Sequence, residues 1–139
     1  MYTIDLDTAP QFPKEFGYLK VVEHRKGGQF DWNPSRLSLF VPREQEREMI
    51  TGAQLDARGV LKNRPVANFN MLKYLLEHQD LVPAAFGDNN IFAWGTICED
   101  TRNGRLTVPF MFQERGVWKP YIRWLVTHWG PSDPALLVS

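Results

Sequence analysis

Cysteine is nearly absent from this chain. A single one, Cys98, stands among 139 residues, so no intramolecular disulfide can staple the fold, and a reducing, cytoplasmic location is the simpler expectation. Neither sign of charge is in excess: 16 basic residues balance 16 acidic ones. Domains that work by neutralising phosphates are usually strongly basic, so this balance argues against nucleic acid as the main partner. No apolar run approaches the roughly 20 residues that cross a bilayer, which excludes a helical membrane span. The opening stretch MYTIDLDTAP carries Asp5 and Asp7 where a secretory leader would carry basic residues and then an apolar run; no signal peptide is expected. Repeats, low-complexity tracts and Gly/Ser linkers are also missing. One globular domain over residues 1–139 is the expectation.

Apolar side chains are plentiful. They make up 43% of the chain and aromatics 13%, a composition that builds a packed core and not a disordered coil. FGYLKVVEHRKGG suggests a strand from Tyr18 to Glu23 that stops at Gly27-Gly28. RLSLFVP suggests another, ended by Pro42. Arg43 to Ile50 holds good helix formers until Gly52, and Ala53 to Arg58 forms a second short helical turn capped by Gly59. The strongest helix signal is NFNMLKYLLEHQDLVP. Asn68 or Asn70 can cap it, Leu72, Leu75 and Leu76 fall on one stripe, and Pro83 ends it.

Three strand-like runs follow between Ile91 and Val126. Asn103-Gly104 is a strong signal for a two-residue hairpin between the first two, which would set Glu99 opposite Val108 and Gly95 opposite Phe112. For the second hairpin, a three-residue loop Glu114-Arg115-Gly116 places Phe112 opposite Trp118 and gathers Leu106, Val108, Phe110, Phe112, Trp118, Ile122, Trp124 and Val126 on one face. A two-residue loop Arg115-Gly116 would instead put Phe110 and Phe112 with Tyr121 and Lys119. The three-residue register is the expectation, because it makes one face wholly apolar. The predicted fold is α+β: a three-stranded antiparallel meander (about 91–126), extended by N-terminal strands and packed on one main helix (about 70–80).

That register leaves Trp94, Met111, Lys119, Tyr121 and Arg123 on the opposite face, an aromatic and basic surface without an acid. Such a surface suits a binding platform. The expected function is a non-catalytic binding or accessory module, with a protein partner or a second copy of the chain on that face. Two alternatives remain. One is a small enzyme with Cys98 or a histidine in a pocket. The other is single-stranded nucleic-acid binding by stacking on Trp94 and Tyr121. His24, His78 and His128 show no metal-ligand spacing with one another or with Cys98. Asp5 and Asp7 would project to one side of an extended N-terminus, a pair that can bind a divalent metal but is weak evidence when alone; Glu99-Asp100 is read as a solvated strand end with Arg102 and Arg105 as counter-charges. No cofactor or metal is expected.

From Trp32 onward the chain resembles a group of short uncharacterised bacterial proteins. The shared pattern is WNPSRLSLF, RPVANFNMLKYLLEHQDLVP, FAWGTI and WLVTHWGPSDPALL. The resemblance covers about three-quarters of the chain and implies an order of elements. It implies no activity.

Overall fold

A computed structural model describes residues 2–61 and 63–139. Its strands are β1 (Thr3–Asp5), β2 (Leu19–His24), β3 (Gln29–Asp31), β4 (Leu37–Phe40), β5 (Ile50–Thr51), β6 (Ile91–Phe92), β7 (Thr96–Asp100), β8 (Arg105–Glu114), β9 (Val117–Trp124), β10 (His128–Trp129) and β11 (Ala135–Val138). Its α-helices are α1 (Arg43–Arg47), α2 (Gly52–Ala57) and α3 (Phe69–Glu77). The class is α+β. Instead of one main helix there are three among the described residues, and the sheet is larger than a meander.

α2 and α3 start where side chains satisfy the free N–H groups of the first turn, whereas α1 starts at Pro42 without a side-chain cap. At α3, Asn68 Oδ1 accepts from the Asn70 amide at 3.0 Å, and Met71, Leu72 and Leu75 are fully buried beneath it. At α2, Thr51 and Gln54 form a reciprocal capping box. Gly59 follows α2 at φ +69, as a helix-ending glycine should.

The main sheet has seven strands. Six run in the order β2-β7-β8-β6-β11-β4, and β9 lies on the other side of β8. The four residues ALLV are therefore an interior strand, antiparallel to β4 and parallel to β6. Pro109 sits inside β8 without breaking it. Its missing N–H would point at the junction of β6 and β7, where the chain turns through Ala93–Gly95 and only the Pro109 carbonyl is used, by the Ala93 amide at 3.0 Å. Gly95 has a packing reason: a Cβ there would lie 2.8 Å from the Ala67 carbonyl oxygen, the group that its own amide donates to.

Both hairpins differ from expectation. The first has a four-residue loop, because Asp100 pairs with Arg105 and Glu99 with Leu106. Asp100 causes this. Its carbonyl takes the amides of Asn103 and Gly104, and its carboxylate takes the Arg102 amide. The shift is two residues, so the faces are unchanged. The second loop is the two-residue Arg115-Gly116 turn. Both residues are left-handed, at φ 53 and 80, the conformation that matches strand twist. Phe112 pairs with Lys119 and Phe110 with Tyr121.

The sheet is covered on both faces. Met111, Ile91 and Trp118 join α3 and the paired strands β1 and β3 in one core. Val108, Phe110, Phe92 and Trp94 join Ile50, Leu55, Leu61 and Trp129 in a second. The assumption behind the three-residue register, one apolar face and one open face, therefore fails. Trp94 is 6% exposed and Met111 fully buried, whereas Leu106 and Val126, expected inside, are exposed.

Candidate binding site

Of the five residues expected on an open face, three reach solvent, and all three lie on β9. Lys119 is exposed and paired with Glu114 at 3.0 Å. Tyr121 is 54% exposed. Arg123 is half-buried and tightly held. Its Nη1 meets Asp133 Oδ2 at 2.9 Å and donates to the His128 carbonyl at 3.3 Å, while its guanidinium lies 4.8 Å from the Phe92 ring and 5.1 Å from the Trp129 ring. Asp133 is fixed in turn by the Gly130 amide at 2.8 Å and by Asn90 at 2.7 Å. Buried Gln45 ties the same loop to α1 through the Gly130 and Asp133 carbonyls. Trp94 and Met111 belong to the interior and cannot take part.

A second arginine is built the same way. The Asp100 carboxylate is fully buried and accepts from Arg102 Nε at 3.0 Å, Arg102 Nη2 at 2.8 Å and Trp124 Nε1 at 3.2 Å. These bonds, the one from the Arg102 side chain foremost, hold the Asp100 carboxyl far below the usual carboxylate range despite its burial. Arg102 also lies 3.6 Å from the Tyr18 ring centroid, and Arg105 lies over Trp124 at 4.5 Å. The counter-charge of Asp100 is thus Arg102, while Arg105 covers an indole.

Arg102 and Arg123 line one cavity of about 380 Å³, together with Phe110, Tyr121, Ile122, Trp124, Thr127 and His128. Asp100 and Asp133, which fix the two guanidiniums, are not among its lining residues. A guanidinium has five N–H donors. The contacts above spend Nε and Nη2 of Arg102 but not its Nη1, and Nη1 of Arg123 but not its Nε or Nη2. Pre-positioned arginines with donors to spare, beside a Tyr and a Trp, suit a carboxylate-bearing group.

The other sequence candidates have structural roles. Cys98 is fully buried, and burial pushes its thiol up to about 12. His24 Nδ1 lies 2.9 Å from Thr96 Oγ1, which accepts from the Phe69 amide. Burial lowers the pKa of His24. His78 stacks on Tyr74 at 4.2 Å and donates from Nδ1 to the Tyr74 carbonyl at the end of α3. His128 is exposed at the cavity rim. Asp5 accepts from the Asp7 amide and closes a turn, while Asp7 accepts from the Gly28 amide and joins the N-terminal segment to the loop before β3. No cluster of three or more metal-ligating side chains exists among the described residues, and no helix there is long and apolar enough to cross a membrane.

No family model, no curated protein and no solved structure matches the chain.

Of the eight residues that line the cavity, the sequence pointed to Tyr121 and Arg123; Arg102, Phe110, Ile122, Trp124, Thr127 and His128 escaped it. A usable signal for Arg102 lay in Asp100-x-Arg102 before Asn-Gly, because an acid at that position can cap the loop and hold the arginine at once.

Proposed function

We propose that the protein is a non-catalytic binding module. An acidic segment of a partner protein docks on the β9 surface formed by Lys119, Tyr121 and Arg123, with Arg102, Trp124 and His128 completing it. The observation that carries this reading is the convergence of two arginines on one cavity, each fixed by a carboxylate outside it, beside an exposed tyrosine. Tyr, Trp and Arg are the residues that most often anchor interfaces. Charge complementarity selects an acidic occupant. A catalytic reading draws no support from Cys98, which is sealed, or from His24, which is spent on Thr96. A stacking platform for single-stranded nucleic acid loses Trp94 to the core.

The test places a photo-crosslinking benzoylphenylalanine at position 121 and, as control, at exposed Val22 on the distant strand β2. Irradiation is done in extract of cells that naturally make the chain. The expected result is one adduct from position 121, absent from position 22, weakened by added salt and competed by unlabelled wild-type protein. A Tyr121→Ala, Lys119→Glu competitor should fail to displace it. Equal adducts at both positions, or equal competition by the variant, would refute the reading. An adduct at twice the mass of the chain would replace the acidic partner with a second copy.

A further inference from the structure

The outer edge of β9 narrows what can bind. Main-chain groups of alternate residues in an edge strand point away from the sheet. On β9 these belong to Trp118, Pro120, Ile122 and Trp124, since Leu125 donates inward to the Leu106 carbonyl. The Trp118 position is closed by a side chain: Gln79 Oε1 accepts from the Trp118 amide at 2.9 Å, and Gln79 Nε2 donates to its carbonyl at 2.8 Å. Pro120 has no N–H to offer. The Trp124 carbonyl is taken twice by Thr127, through its amide at 3.0 Å and its hydroxyl at 2.7 Å. Among the described residues no hydrogen bond caps Ile122, and Ile122, itself only 8% exposed, lines the cavity together with Arg102 and Arg123.

From this we infer that the site reads a single acidic residue held in extended conformation. Its own N–H and C=O pair with the C=O and N–H of Ile122, and its carboxylate reaches Arg102. The geometry follows from strand pairing. A residue directly opposite Ile122 in an antiparallel bridge puts its side chain on the face of Ile122. Trp124 is on that face by register, and Asp100 bonds Trp124 and holds Arg102 there. The flanking residues of the ligand fall on the other face, against Tyr121 and Arg123. A longer strand cannot add, because Pro120 on one side and Thr127 on the other block the next positions. The inference rests on the docking reading above and assigns its recognition element.

Three blocked tripeptides test it: acetyl-Ala-Glu-Ala-amide, its Gln counterpart, and the Glu peptide N-methylated at the central nitrogen. Binding is followed by the shift of the Ile122 amide in proton–nitrogen NMR spectra of the intact protein. The Glu peptide should bind and move the Ile122 amide downfield. The Gln peptide should bind at least about tenfold more weakly, the loss expected when a charge-assisted contact is removed. The N-methylated peptide, which cannot donate to the Ile122 carbonyl, should leave the Ile122 amide unmoved. Equal binding of the methylated and unmethylated Glu peptides would overturn the Ile122 pairing and leave the docking reading standing. Failure of the Glu peptide to bind at its solubility limit, with the position-121 adduct still formed, would overturn the single-acid recognition alone. Absence of both would sink both.

Discussion

Asn68 offers the sharpest test of the physical account. One side chain there joins three parts of the fold. Its Oδ1 accepts from the Asn70 amide at the start of α3. Its Nδ2 donates to the Leu6 carbonyl at 2.8 Å and to the Arg25 carbonyl at 2.9 Å, tying α3 to the N-terminal segment and to the end of β2. Asn68→Ala should cost about 1 kcal/mol for the cap and roughly 1–3 kcal/mol for each carbonyl left without its donor. Allowing for water at the less buried Arg25 carbonyl, a total of about 3 kcal/mol is expected. Asn68→Asp separates the two contributions. The aspartate keeps the capping oxygen and suits the helix dipole, but sets an oxygen against two carbonyl oxygens at under-van-der-Waals range. Asp should therefore be no more stable than Ala at pH 7. Urea unfolding followed by tryptophan fluorescence measures both. With a slope of about 1–3 kcal/mol per molar, each midpoint should fall by roughly 1–3 M. An Asp variant within about 0.5 kcal/mol of wild type would show that the cap alone matters, and the two donor bonds would have no claim on stability.

Gly95→Ala should lower stability by about 1–3 kcal/mol, the range for forcing a methyl into a filled site, because the atoms it meets are the Ala67 and Asn68 main chain; a melting temperature within a degree of wild type would contradict the close approach. Stability should also fall as pH drops below His24's unfolded value of 6.5. The folded pKa is depressed, so the unfolded chain binds the proton first. The His24 contribution is full above 6.5 and shrinks until the pH passes the folded pKa. Unfolding measured across that window should lose this slope in His24→Gln, and an unchanged slope would assign it to another group.

What could be read from the sequence depended on how local its cause was. The start of α3 was legible because Asn68 and the leucine stripe lie within one short window; its end was not, since α3 stops at Glu77 and a 3-10 turn over Gln79–Leu81 comes before Pro83. β2 and β4 were legible from alternation bounded by turn residues. The β9 register was not. Parity assigns a strand only when one face is polar, and here both faces are apolar since Ile50, Leu55, Leu61 and Trp129 cover the second. Those four are spaced too widely to form a periodic stripe, so the cover was invisible. For the same reason Trp94 and Met111 looked like surface. Residue type also gave no warning that Arg115 would take φ 53. At the site, Lys119, Tyr121 and Arg123 were legible from alternation alone, whereas the Arg123–Asp133 and Trp118–Gln79 contacts join residues that no spacing rule connects.

The interior position of β11 bears on how the protein folds. This strand touches β4 on one side and β6 on the other, and its backbone also bonds Pro65 and Ala67. Arg36 and Ser139, bonded where β4 and β11 meet, are 103 residues apart in the chain. Closing so long a loop costs entropy before any contact repays it, so β11 docks late. Once docked, it holds β4, β6 and the segment leading into Asn68 together. Losing β11 would free all three at once, whereas β7, β8 and β9 would stay joined by their own hairpins. The meander is therefore expected to form first, with closure of the sheet on β11 coming last.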